Sequence, residues 1–504
     1  MNCKYFLLTS LGVSALAVVE AQQPNVVVFL IDDMGVMDTS VPFLTDANGK
    51  PQVHPLNEWY RTPNMEKMAQ MGIRFSRFRA QSVSSPSRAS LLTGQNSARH
   101  RTTNWIDPAA NNRNTYGPMA WNWKGLDPAD PLLPKLLKEA GYRTIHVGKA
   151  HFGPTGSVAE DPANLGFDVN IGGRGIGHPG SYYGEDGYGN LKGQKSHAVP
   201  HLEKYHGTET FLTEALTLEA NAEISKSVQQ GRPFFLYLAH YAVHSPFQPD
   251  KRFIGHYENS GKGKAAEAYA SLIEGMDKSL GDLMAHLEKE GVAQNTVVIF
   301  LGDNGGDAPL GDENGHFSSA PLRGKKGSVY EGGTRVPFLM SWVKPDDNIL
   351  QKRFPIQSGG IQNQPVGVMD IYPTILEMVG VKPVKGFVVD GVSMSTQMKG
   401  KVNRKRSAEV LMHFPHQHRG SYFTTFIDGD WKLIYHYRPE DPQNPKFELY
   451  NLKGDPFEDK DLSVLESKKL VQMVEGMQKA LQSQGALYPV DKDGKDVSPL
   501  IPGC

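Results

Sequence analysis

Four apolar runs organise the chain: "NVVVFLIDD" (25–33), "YRTIHVGK" (142–149), "PFFLYLAHY" (233–241) and "NTVVIFLGDN" (295–304). Each run is continuous rather than alternating and rich in β-branched and aromatic residues, the pattern of a strand buried on both faces. Between them lie stretches with helical periodicity, 131–140, 208–230 and 264–290. Strands alternating with helices predict an α/β fold, a large mainly parallel sheet flanked by helices. Each run ends in polar residues, and in such sheets the ligand crevice lies beyond the carboxyl ends of the strands.

The pattern changes after about residue 405. "FTTFIDGDWKLIYHY" (423–437) predicts two strands joined at Asp428-Gly429-Asp430, "KFELYNL" (446–452) a further strand, and 462–484 an amphipathic helix. These predict a smaller C-terminal antiparallel sheet plus helix, over 405–504, beside a catalytic domain over 22–404. The basic stretch "KGKVNRKRSAE" (399–409) reads as a solvated linker between them.

The chain opens on Lys4 and an apolar run from Tyr5 to Val19, followed by Val19-Glu20-Ala21. A run this short, with small residues behind it, predicts a signal peptide over 1–21, an exported periplasmic or secreted protein, and no membrane insertion after cleavage. Cleavage would remove Cys3 and leave Cys504 as the one thiol, with no internal disulfide. Lys and Arg number 53 against 54 Asp and Glu, so no global field favours nucleic acid.

Chemistry concentrates at the strand ends. Asp32-Asp33 and Asp303-Asn304 offer four oxygen ligands from two strands. Adjacent buried carboxylates repel, and a hard divalent cation such as Ca²⁺, which accepts about six to eight oxygens, relieves that repulsion and leaves room for substrate. A second set is cationic or imidazole: Lys149 and His151 in "HVGKAHFG", His244 in "HYAVHSPF" and Lys326 in "RGKKGSVYEGG". With Arg88 they would form a pocket for a tetrahedral anion. Residues 82–94, "SVSSPSRASLLTG", predict a helix start with Ser85 as N-cap and Pro86 in the first helical position, its amides facing that anion.

Taken in order, these motifs resemble those of type I sulfatases of the alkaline phosphatase superfamily. Ser84-Ser85-Pro86-Ser87-Arg88 with Leu92-Thr93-Gly94 matches the element that carries the modified residue. Asp32-Asp33, Lys149 and His151, His244, Asp303-Asn304, Lys326 with "EGGTRVP" (331–337), and "FELYNLKGDPFE" (447–458) follow in sequence. The resemblance implies that a maturation enzyme oxidises Ser84 to formylglycine, where most family members start from cysteine. The hydrated aldehyde would attack sulfur with one hydroxyl, passing through a sulfated-enzyme intermediate, and expel sulfate with the other. It also implies that Ser84 joins Asp32, Asp33, Asp303 and Asn304 around the metal. Arg88 and Lys149 would hold and polarise residue 84. His151 would be the base for sulfate elimination, and His244, with Lys326, would serve the departing alcohol.

Aromatic and hydrogen-bonding side chains after the motif favour a carbohydrate over a small aryl ester, and the resemblance to secreted bacterial sulfatases implies an exo-acting pocket for a sulfated sugar of the galactose or N-acetylgalactosamine type. The candidates are His100, Arg101, Asn104, Trp105, Trp121, Trp123, His178, Tyr182, Tyr183, His316, His413, His416 and His418. Two other readings remain open on the residues: a phosphoester or phosphonate hydrolase of the same superfamily, and a sulfoglycan-binding protein that is never matured.

Overall fold

The computed structural model describes residues 23–107, 110, 115–311, 318–419, 421–437 and 446–499. The expected signal peptide, Cys3, Cys504 and His316 lie outside the described residues. The strands are β1 (Asn25–Ile31), β2 (Ile73–Phe75), β3 (Phe78–Arg79), β4 (Arg143–Gly148), β5 (Val169–Ile171), β6 (Phe234–His240) and β7 (Thr296–Gly302). They continue as β8 (Phe338–Trp342), β9 (Gly360–Gln362), β10 (Val366–Gly367), β11 (Glu409–Gln417), β12 (Ser421–Asp428), β13 (Trp431–His436) and β14 (Phe447–Asn451).

Eight of them form the large sheet in the order β5–β4–β6–β1–β7–β8–β2–β9. The four apolar runs are its central strands, and β1 is paired in parallel with both β6 and β7. The sheet is mixed because β8 runs antiparallel to β7 and to β2. Successive side chains of β1 point to opposite faces, and both faces are covered. Val27, Phe29 and Ile31 pack with the helices Leu212–Gln229 and Lys264–Lys289. Val26, Val28 and Leu30 pack with the helices Ser84–Thr93, Leu133–Glu139 and Ile371–Val379. That two-sided burial is why the strand sequence is continuously apolar.

Register places the chemistry. Ile31 sits opposite both His240 and Gly302, and Gly148 opposite Ala239. The residues that follow, Asp32, Lys149 and Asp303, therefore emerge along one edge. Gly35 and Gly306 let the turns after β1 and β7 touch, since a Cβ on Gly35 would lie 2.5 Å from the Gly306 nitrogen.

The smaller sheet is antiparallel in the order β11–β12–β13–β14. One face carries the helix Ser467–Gln484, through Leu470, Met473, Val474, Met477 and Leu481. This helix begins at Ser467 rather than at 462, because residues 463–466 form the turn that leads into it. The other face packs Met412, Phe414, Phe423 and Ile434 against Val83 and Val329, next to the start of the Ser84 helix. Among the described residues no helix is long and apolar enough to cross a membrane.

Candidate active site

The helix Ser84–Thr93 points its first turn at the strand ends. Its N-cap is Val83, with extended backbone, so Ser84 is the first helical residue and Pro86 the third. The expected cap at Ser85 is thus displaced by two residues, to Val83, and the Ser85 hydroxyl instead accepts from the Ile106 amide at 3.1 Å. Pro86 is tolerated because the first turn of a helix has no intrahelical use for its N–H. The shift puts Ser84 at the N-terminal end of the helix, buried at the floor of the cavity. Its Oγ lies 3.3 Å from His151 Nδ1 and 3.4 Å from Lys149 Nζ.

Three carboxylates converge beside it. Asp32, Asp33 and Asp303 each present an oxygen within 4.8 Å of the others, and all three are buried. Cations surround them: Lys149 Nζ is 2.7 Å from Asp32, Lys326 Nζ 2.7 Å from Asp33, and Arg88 Nη2 2.9 Å from Asp303. Arg88 therefore does not turn back to the Ser84 hydroxyl. Its guanidinium donates from Nε and Nη2 to Asp303 Oδ2 and from Nη1 to the Lys149 carbonyl, charge-assisted bonds that hold it on the carboxylate. The backbone at Asp33 and at His151 is left-handed, with φ of 61° and 51°, so both are held in conformations that cost energy outside glycine.

The cluster is suited to a cation by two observations. Asp32 Oδ1 and Asn304 Oδ1 are buried without a hydrogen-bond partner, in a core where such oxygens are normally satisfied. The carboxylates are also frustrated. Burial raises Asp32 above the usual carboxylate range, only partly opposed by Lys149, and burial with repulsion from Asp32 pushes Asp303 up to about 6. Asp33 goes the other way, because His244 and Lys326 outweigh its burial. Asp32, Asp33, Asp303 and Asn304 present hard oxygen donors, which fit Ca²⁺ or Mg²⁺ better than a soft metal.

The histidines are assigned by their partners. His151 Nε2 is 3.2 Å from the Ile106 carbonyl, which fixes the proton on that nitrogen and turns the Nδ1 lone pair to Ser84. Burial, then Lys149 and Arg88, hold His151 well below the ordinary histidine value, so it is a neutral base. His244 Nδ1 meets the Ser245 carbonyl at 3.0 Å, and its Nε2 lies 3.6 Å from Asp33 Oδ2. Burial pushes His244 down to about 3, opposed by Asp33.

Above Ser84 opens a cavity of about 1430 Å³, with Ser84, His151, His244 and Lys326 on its lining. Trp105, Trp123, His178 and His418 also line it. Other candidates from the sequence stand elsewhere. His100 is half-buried against Ser90 Oγ at 3.0 Å, and Arg101 faces outward to the Gly485 carbonyl at 3.4 Å. His413 is enclosed between Thr424 Oγ1 and the Leu487 carbonyl, and His416 bonds Thr103 Oγ1 at 2.6 Å. Asn104 caps the Trp105 amide, Trp121 packs on His416, and the Tyr182 and Tyr183 hydroxyls reach backbone carbonyls. Both ring nitrogens of His413, Nε2 of His416 and the hydroxyls of Tyr182 and Tyr183 serve to hold loops and the smaller sheet together. The wall also contains Lys124, Arg174, His197, Asp307 and Arg419, which pattern reading did not single out. Arg174 carried a signal, since it sits in the glycine-rich "GGRGIGH" just after β5.

Comparison with known proteins agrees with this geometry. Residues 24–381 match the family model described as Sulfatase, and residues 324–486 that described as N-sulphoglucosamine sulphohydrolase, C-terminal. The N-acetylgalactosamine-6-sulfatase of Mus musculus is 32% identical over 417 residues, covering 79% of this chain and 70% of that protein. A Formosa agariphila protein named Sulfatase is 27% identical, covering 86% of this chain and 83% of its own. The crystal structure of Ps i-CgsB in complex with k-i-k-neocarrahexaose superposes with a TM-score of 0.70 at 27% identity, covering 94% of this chain and 96% of that one. With the family match running through the whole catalytic edge of the large sheet, the chain belongs to the type I sulfatases of the alkaline phosphatase superfamily, and is a sulfuric ester hydrolase.

Proposed function

We propose that this chain removes sulfate from a terminal sugar of a sulfated glycan, with residue 84 acting as hydrated formylglycine. The observation that carries this reading is the placement of Ser84 Oγ within 3.4 Å of both Lys149 Nζ and His151 Nδ1, at the floor of the large cavity. Asp32, Asp33, Asp303 and Asn304, with residue 84, would hold one Ca²⁺. When bound it would draw charge from the ester oxygens and from the attacking hydroxyl. The hydrate supplies one hydroxyl for attack on sulfur and a second whose deprotonation expels sulfate.

The surrounding side chains divide the remaining work. Lys149 and Lys326 place ammonium groups on either side of the carboxylates, where a sulfate can lie between them. His151, neutral and with its lone pair on residue 84, takes the proton that sulfate elimination releases. His244 gives a proton to the departing sugar oxygen. Its basicity is low in the empty pocket, chiefly from burial and the neighbouring lysines, and an arriving anion opposes the lysines and raises it. Asp32, Asp33 and Asp303 balance Arg88, Lys149 and Lys326 in charge, so a divalent ion leaves the site with a net excess that matches an anionic ester.

For the sugar, we infer galactose or N-acetylgalactosamine, supported by the N-acetylgalactosamine-6-sulfatase relative and by the neocarrahexaose complex. Trp105 and Trp123 give the cavity the flat apolar faces on which a pyranose packs. An export signal and a maturation enzyme belong to the same reading.

A peptide mass spectrum across residues 82–94 of protein from its native host is the direct test. Loss of two hydrogens at Ser84 is expected. An unmodified serine in protein that releases sulfate overturns the mechanism, and faster turnover of phosphate than of sulfate esters overturns the reaction class. Ser84→Ala should lower sulfate release by about 10⁴-fold or more while leaving the melting temperature within a few degrees of the parent.

A further inference from the structure

The cavity wall carries a feature that sulfate chemistry alone does not call for: three imidazoles stacked in a row. His197 lies on His178 with ring centroids 3.9 Å apart and planes at 6°. His178 in turn lies on His244 at 5.6 Å and 17°, an offset parallel arrangement. The row is anchored at its outer end. The Gly180 amide donates to the His197 carbonyl at 2.7 Å, and His178 Nδ1 is 3.1 Å from the Pro179 carbonyl.

The same short segment touches the site at two more points. A Cβ on Gly177 would lie 3.2 Å from His151 Cε1, so this glycine rests directly on the second site histidine. The Tyr182 hydroxyl lies 2.7 Å from the carbonyls of both Tyr241 and His244, and holds the backbone from which His244 projects.

His244 needs such support. Its Nδ1 is tied to the Ser245 carbonyl at 3.0 Å and to Ser245 Oγ at 3.2 Å, contacts that resist rotation about Cβ–Cγ but do not stop the ring from shifting toward either of its faces. Such a shift would carry Nε2 away from Asp33 and from any sugar oxygen above it. A flat group against one ring face blocks the shift on that side, and His178 is the flat group that stacks there.

We propose that residues 177–182 are a brace for both site histidines, with His178 as a positioning residue that holds His244 in its proton-donating orientation. The inference rests on the proposed role of His244 and deepens it. It assigns His178 a task that does not need contact with the substrate.

The test uses the leaving group. A phenolate departs without a proton, whereas a sugar alkoxide requires one, so a defect in proton donation is felt on sugar sulfates and spared on 4-nitrophenyl sulfate. Matured enzyme carrying His178→Ala is expected to lose about 10- to 100-fold in kcat on galactose 6-sulfate or N-acetylgalactosamine 6-sulfate, with KM within about threefold. On 4-nitrophenyl sulfate it should lose less than about threefold. His178→Phe keeps a flat ring and should recover most of the sugar-sulfate kcat. Equal losses on both substrate types, a loss confined to KM, or a Phe variant no better than Ala would each overturn the brace. His244→Ala is the control that separates the two levels. A selective loss there without one in His178→Ala removes the brace and leaves the function standing. No selective loss in His244→Ala removes the proposed role of His244 and the brace with it.

Discussion

Two groups of buried charge are built from the same residue types and behave in opposite ways. At the catalytic edge, Asp32, Asp33 and Asp303 converge on one point, and two of the three are pushed above the usual carboxylate range. Between the two sheets, Arg79 Nη2 lies 2.6 Å from Glu331, Lys432 bridges Glu331 at 3.1 Å and Glu458 at 2.6 Å, and Arg335 stands 3.8 Å away. There cations separate the carboxylates, and Arg79 and Lys432 hold Glu331 well below its ordinary value despite burial. Glu458 moves up, its burial outweighing Lys432. Burial is equal in the two places, so geometry makes the difference. Interleaved charges form a fastening between the catalytic sheet and the smaller sheet, and converging carboxylates form a socket.

The comparison breaks if each group does the other's work. Asp32→Asn keeps the shape of the socket and removes one charge. It should lower sulfate release on the order of 10²-fold or more, measured as kcat/KM under saturating calcium. It should also abolish the calcium-dependent rise in melting temperature that binding to the folded state produces. Without calcium its melting temperature should fall less than that of Glu331→Gln, because burial and Asp33 already oppose the lost charge, although Lys149 loses its carboxylate partner. Normal activity with normal calcium response would show that the three carboxylates are a fastening too.

Glu331→Gln makes the reverse cut. It leaves Arg79, Arg335 and Lys432 buried with Glu458 as their remaining carboxylate. Removing one partner of such a group costs about 3–5 kcal/mol. The urea midpoint should fall accordingly, while the protein that remains folded at 25 °C keeps kcat within about threefold of the parent. A large loss of kcat with unchanged stability would place Glu331 in the catalytic machinery.

The socket was legible in the sequence and the fastening was not. Asp32, Lys149, Asp303 and Asn304 each follow an apolar run directly, so strand periodicity alone marks them as strand-end residues. Arg79, Glu331, Lys432 and Glu458 come from four separate segments, and nothing local announces that they meet. Orientation was also beyond pattern reading. Ser85 had the chemistry of an N-cap, yet the cap fell on Val83, whose side chain is fixed by packing against the smaller sheet. The segment "LMHFPHQH" (411–418) offered three histidines, His413, His416 and His418, which read as candidate sugar ligands. Through Gln417 it is the edge strand β11, where Pro415 costs no ladder bond beside the irregularity between Phe414 and Gln417.

That strand supplies the smallest test, which asks whether its histidines belong to the fold. His413 is buried and neutral between Thr424 and the Leu487 carbonyl, and burial pushes it down to about 4; burial takes His416 down to about 3. An unfolded histidine titrates near about 6.5. A histidine depressed by folding contributes stability that is present above the unfolded value and is lost as pH falls toward the folded one. The melting temperature should therefore be level above pH 7 on this account and decline between about pH 6.5 and 4. His413→Gln cannot take up that proton. It should start from a lower plateau, since its hydrogen bonds are imperfectly replaced, and decline more gently across the same window. A parallel decline would mean that His413 is protonated in the folded sheet. A ring that holds a proton while wedged between β12 and the Leu487 carbonyl would be a charged group of the smaller sheet, and the neutral assignment of His413 would fall.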